Sequence, residues 1–141
     1  MYSNIIITLL LSLNIWIGGC SDDHSLPSNE RLCTPSDAVE LEYSLELLPG
    51  CECGTGIDSL PLQVTAFCCM GWDCVGNGDT LIFHWVRPDG SIGRQEQRIL
   101  TISMPGSYRW TLEIEADTAG IWRASAFRNG DIVSSRVLKI Y

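Results

Sequence analysis

Apolar and polar residues alternate along most of this 141-residue chain, and that alternation limits what it can fold into. In residues 39–47, Val39, Leu41, Tyr43, Leu45 and Leu47 are separated by Glu40, Glu42, Ser44 and Glu46. Successive side chains of a strand point to opposite faces, so this spacing gathers all five apolar groups on one side. A helix would scatter them round its circumference, although Ala, Glu and Leu favour helices. Residues 60–70 repeat the pattern with Leu62, Val64, Ala66 and Cys68. In residues 80–87, Leu81, Phe83 and Trp85 face one way and Ile82, His84 and Val86 the other, which marks a central strand.

The intervening residues supply the turns. Pro88-Asp89-Gly90-Ser91 has a proline that fixes φ and a glycine that accepts positive φ. Residues 93–104 are mixed and polar, as suits an edge strand and a connection. Residues 108–116 alternate again, with Trp110, Leu112, Ile114 and Ala116 opposed by Arg109, Thr111, Glu113 and Glu115. A strand over 121–127 is followed by Asn129-Gly130, a strong two-residue hairpin signal, and by a last strand over 132–141. About seven short strands without helical crossovers predict an all-β, antiparallel sandwich, with Trp85, Trp110 and Trp122 in its core.

Charge narrows the function. Nine Lys and Arg against 17 Asp and Glu give a formal net charge of −8. Residues 1–86 hold one basic residue, Arg31, among eleven acids, whereas residues 87–141 hold eight basic residues and six acids. Nucleic acid is not the expected partner, because phosphate binding needs a contiguous excess of Lys and Arg. The acidic stretch over 21–86 instead favours a basic partner, with a steering effect that fades in salt.

The amino-terminal residues read as an address. Residues 5–17 are apolar apart from Thr8, Ser12 and Asn14. That run is shorter than the ~20 residues needed to cross a bilayer and fits the apolar region of a secretory signal. It ends in Ile17-Gly18-Gly19-Cys20 and turns abruptly polar at Ser21-Asp22-Asp23. This stretch resembles the lipobox of bacterial lipoprotein signal peptides: an aliphatic residue, two small residues, then the cysteine that receives the lipid. The resemblance implies lipidation at Cys20, membrane attachment through that lipid, and, with Ser21 next, transport to the outer membrane of a cell envelope. Plain secretion is the alternative. The expected organisation is a signal peptide over 1–19, the lipidated cysteine with a polar tether over 20–36, and a β-sandwich domain over 37–141.

Seven cysteines point away from a reducing cytosol. With Cys20 consumed by lipid, Cys33, Cys51, Cys53, Cys68, Cys69 and Cys74 remain, enough for three disulfides. The sequence cannot choose among the pairings, but Cys68 and Cys69 are strand neighbours that face opposite ways and need different partners. A metal site fits poorly, since C-x-C with C-C-x₄-C lacks the spacing of structural zinc ligands. No metal or cofactor is expected. No C-x-x-C, Gly-x-Ser-x-Gly elbow, phosphate loop or His-Glu-x-x-His occurs, so no catalytic residue and no enzyme is expected. Trp72, in a stretch rich in Gly and Cys, is a candidate exposed contact residue, together with residues 51–56.

A cysteine on the second strand, Trp85 on the third, and Gly120-Ile121-Trp122-Arg123-Ala124 late in the chain are similar to an immunoglobulin-like sandwich. The family places a second cysteine where Ala124 stands, so its inter-sheet bridge cannot form here. Many roles share this architecture. The expected role is a non-catalytic module that binds another envelope or surface protein. The alternatives are an inhibitor or immunity lipoprotein that neutralises a toxin or lytic enzyme, and a carbohydrate-binding module that uses exposed aromatics.

Overall fold

The computed structural model describes residues 39–141; the expected signal peptide, Cys20, the tether and Cys33 lie outside the described residues. Ten strands follow in order: β1 Val39–Ser44, β2 Leu47–Leu48, β3 Glu52–Cys53, β4 Ser59–Leu60, β5 Ala66–Val75, β6 Thr80–Val86, β7 Ile92–Ile99, β8 Gly106–Ile114, β9 Gly120–Arg128 and β10 Asp131–Ile140. One sheet has the order β1-β5-β8 and a second the order β4-β10-β9-β6-β7, while β2 and β3 form a small hairpin. All pairings are antiparallel except the short one between β4 and β10. The described residues thus form the expected antiparallel β-sandwich.

The inward face of each strand can be read from the register. Ala66, Cys68, Met70 and Trp72 of β5 lie opposite Ile114, Leu112, Trp110 and Tyr108 of β8, and all eight are buried. Leu81, Phe83 and Trp85 of β6 meet them from the second sheet, beside Trp122, Ala124 and Ala126 of β9. The Trp85 and Trp122 rings stack 5.0 Å apart, and Tyr43 meets Trp85 edge-on at 6.0 Å. Buried aromatics dominate the apolar area that holds two such sheets together.

Two expected strands change their limits. The alternation over 39–47 stops at Ser44, whose hydroxyl accepts a hydrogen bond from the Glu46 amide at 3.2 Å; Leu45 is left 53% exposed. The expected strand over 60–70 begins at Ala66 instead, because the chain turns at Pro61 and Gln63, where φ is +65°. It then runs on to Val75 through a register shift after Trp72, with Cys74 at φ +52°. The expected hairpin at Asn129-Gly130 is present, with positive φ at both residues as a two-residue turn of matching twist requires.

The polar segment over 93–104 does supply the edge strand, β7, over Ile92–Ile99. Its register puts Arg94, Glu96 and Arg98 opposite the core residues Trp85, Phe83 and Leu81, so three charged side chains line its inward face. They bridge the gap to β8: Arg94 bonds Glu96 at 2.9 Å and also the Glu113 carbonyl, and Arg98 lies 5.7 Å over the Trp110 ring. Inward charges of this kind blunt a sheet edge against further pairing.

Candidate functional site

The cysteines divide between the two faces of β5. Cys69 points outward and is bonded to Cys53, with an S–S distance of 2.01 Å. This link fastens the β2–β3 hairpin onto the outer face of the three-stranded sheet, helped by an Arg109–Glu52 ion pair and a 3.2 Å bond from the Thr111 hydroxyl to the Cys51 carbonyl. Cys51 and Cys74 are disulfide-bonded as well.

Cys68 departs from expectation. The cysteine count expects it in a disulfide, but it is a free, fully buried thiol. The cause is the alternation that separates it from Cys69: Cys68 points into the core, opposite Tyr43 in register, while Cys69 is bridged to Cys53 on the other face of β5. Burial pushes its pKa well above the ordinary thiol range, against a smaller opposing pull from Arg136.

The inter-sheet link that a cystine would have made is supplied by Tyr43. Its hydroxyl donates to the Arg136 carbonyl at 2.5 Å and accepts from the Ala124 amide at 3.1 Å, joining β1 to both β9 and β10. Burial raises the Tyr43 pKa, and the neighbouring Cys68 adds to the rise.

Trp72 is also corrected. It is 1% exposed, on the inward face of β5, and cannot serve as a surface contact or as a platform for a sugar ring. The residues Gly71 and Cys74 around it resemble a loop, yet Ala66, Cys68, Met70 and Trp72 keep the two-residue period, and that signal identifies the strand. The indole nitrogens of Trp72 and Trp110 are buried without a hydrogen-bond partner.

A cleft of about 780 Å³ opens between the β7 and β8 edges, lined by Trp85, Arg87, Arg94, Glu113 and Asp117 among others. Its guanidinium groups are occupied by the protein itself. Arg87 bonds the Asp117 carboxylate at 3.2 and 3.0 Å, which holds Asp117 below the usual carboxylate range, and Arg94 is engaged as described. Trp85 and Trp122 form its floor with their N–H groups already bonded to the carbonyls of Glu115 and Thr118. The guanidinium and indole groups of the cleft are thus already paired within the protein, and no nucleophile stands beside a base among the residues that line it.

The outer face of the five-stranded sheet is different. It exposes Ile92, Ile99, Ile121, Ile132 and Val137, each between 48% and 65%, around the half-buried Ile82, Val86 and Phe127. His84 lies on this face against Phe127, with ring centroids 4.7 Å apart. Its only charged side chains are Arg123 and Lys139; no carboxylate lies on it among the described residues. The opposite outer face carries Glu40, Glu42 and Glu113 instead. In a chain of net charge −8, the acids are therefore kept off the sheet face that is most apolar. Sequence reading missed this surface because Ile82 and Val86 look like core, and only the layer order shows that no second sheet covers them among the described residues.

No family model matches the chain, and no curated protein does. Among solved structures, it is similar to the CARDB domain of a Pyrococcus furiosus protein in complex with di-metal ions. That likeness has 10% identity and a TM-score of 0.47, covering 74% of this chain and 88% of that one. It is also similar to a Pseudomonas fluorescens alkylpurine DNA glycosylase bound to DNA containing an abasic site analogue, with 12% identity and a TM-score of 0.42. This second likeness covers 72% of the chain but only 29% of the glycosylase. Scores of this size carry no inference about ligand or activity.

Proposed function

We propose that this chain is an exported, lipid-anchored, non-catalytic module that works by protein contact through the outer face of its five-stranded sheet. The observation that carries this reading is the exposed aliphatic surface of β6, β7, β9 and β10, free of carboxylates in an acidic protein. An exposed apolar surface of this extent, here crossed by one row of polar side chains, is the ordinary mark of a protein-binding surface. The address rests on Ile17-Gly18-Gly19-Cys20, with two or three acyl chains at Cys20 sufficient for stable attachment to an outer membrane.

Two experiments test it. Labelled palmitate should enter the protein in cells that export it and should be lost in Cys20→Ala. A photo-crosslinking amino acid at Ile121 should capture a protein, while the same group at Glu40 on the opposite face should not. Equal capture from both positions, or none from Ile121, refutes the assigned face; an unlabelled protein refutes the anchor.

A further inference from the structure

Resting on that reading of the face, we infer that its partner is a second copy of this chain, packed face to face about a two-fold axis. The register places four polar residues in one row across the sheet: Gln95 of β7, His84 of β6, Ser125 of β9 and Ser135 of β10. On one side of this row lie Ile92, Val86, Arg123 and Val137, and on the other Gln97, Ile82, Phe127 and Ile132. An isologous interface requires a surface that is complementary to itself, so that residue i meets j and j meets i.

A two-fold axis along the polar row satisfies that requirement. It sets Val86 over Ile82 of the second copy, Val137 over Ile132, and the Arg123 guanidinium over the Phe127 ring, each contact occurring twice. Polar row meets polar row. Cation and aromatic ring attract, so the one charged side chain in these rows has a favourable counterpart. The Arg123 side chains of the two copies stay about four residues apart along the strand, or roughly 13 Å, beyond the screening length at physiological salt. With no carboxylate on the face, the overall negative charge is held away from the contact.

The area suffices. Strands of seven to ten residues, four abreast, cover about 19 Å by about 28 Å, so two copies bury roughly 1,000 Å² before side-chain relief is counted. That is about the lower bound of a specific interface, and sheets that pack face to face do so readily at a small angle.

The test is sedimentation equilibrium of the full chain, in detergent where the lipid is present, from low to high micromolar concentration. The apparent mass should climb from one chain toward two. Val137→Lys and Ile132→Glu should each weaken association at least about tenfold, since each sets a charge against an apolar group. Both substitutions on one chain should restore it, because the introduced charges then face each other across the axis at both symmetry-related contacts. A monomer at every concentration overturns the inference, as does a dimer indifferent to the single substitutions, or single losses that the double variant fails to rescue. Crosslinking from Ile121 to a different protein, with no adduct of twice the chain mass, would leave the proposed function standing and remove the second copy.

Discussion

Replacing Tyr43 by Phe removes one oxygen atom and leaves the buried ring in place. The hydroxyl makes two hydrogen bonds, from the Ala124 amide at 3.1 Å and to the Arg136 carbonyl at 2.5 Å. A hydrogen bond of this kind contributes ~0.5–1.5 kcal/mol net, so losing two costs about 2 kcal/mol. The edge-on contact with Trp85 and the apolar burial persist, which isolates the polar contribution. Urea unfolding followed by tryptophan fluorescence should show the midpoint falling by about 1 M at an unchanged slope of ~2 kcal/mol per molar. A drop below about 0.2 M would refute the claim that this hydroxyl holds the two sheets together in place of a cystine.

Three further outcomes follow from the same structure. Cys68 is held neutral in the fold, so above the unfolded thiol pKa of ~8.5–9 only the unfolded chain loses the proton, and stability should fall by up to ~1.4 kcal/mol per pH unit. Denaturation midpoints between pH 8 and 10 should lose this part of the slope in Cys68→Ala. Asp79 ionises more readily than usual: burial opposes its charge, but hydrogen bonds from Asn129, the Gly76 amide and Arg128 outweigh it. Its contribution is therefore present above the unfolded carboxylate pKa of ~3.9 and disappears as pH falls below it, so Asp79→Asn should cost about 1–2 kcal/mol at pH 7 and the difference from the unsubstituted protein should shrink as pH is taken from about 4 to about 2. Gly120→Ala should cost more than ~1 kcal/mol in thermal or urea unfolding, since φ is +133° and a Cβ would sit 2.6 Å from the Pro88 ring.

Much of the sandwich is legible in the residues because alternation survives wherever a strand has one wet and one dry face. Leu81, Phe83 and Trp85, and likewise Trp110, Leu112 and Ile114, are inward as their spacing requires. The errors arise where composition competes with period. Gly71 and the flanking cysteines suggest a loop, but Trp72 obeys the two-residue period and is buried. Parity of the cysteine count suggests that Cys68 pairs, yet pairing depends on which atoms face each other, and this thiol faces into the core while Cys69 and Cys53 are joined on the outer face. The open face escapes sequence reading for a related reason. An apolar residue on the second side of a central strand looks the same whether a layer covers it or not.

The charged inner side of β7 decides how molecules of this kind can meet. A chain seeking to extend the five-stranded sheet past Ile92–Ile99 would have to strip water from Arg94, Glu96 and Arg98 or dislodge them from β8. Lateral growth into ribbons or fibres is blocked at that margin. Molecules that each carry an isoleucine-rich surface would otherwise be at risk of such polymerisation.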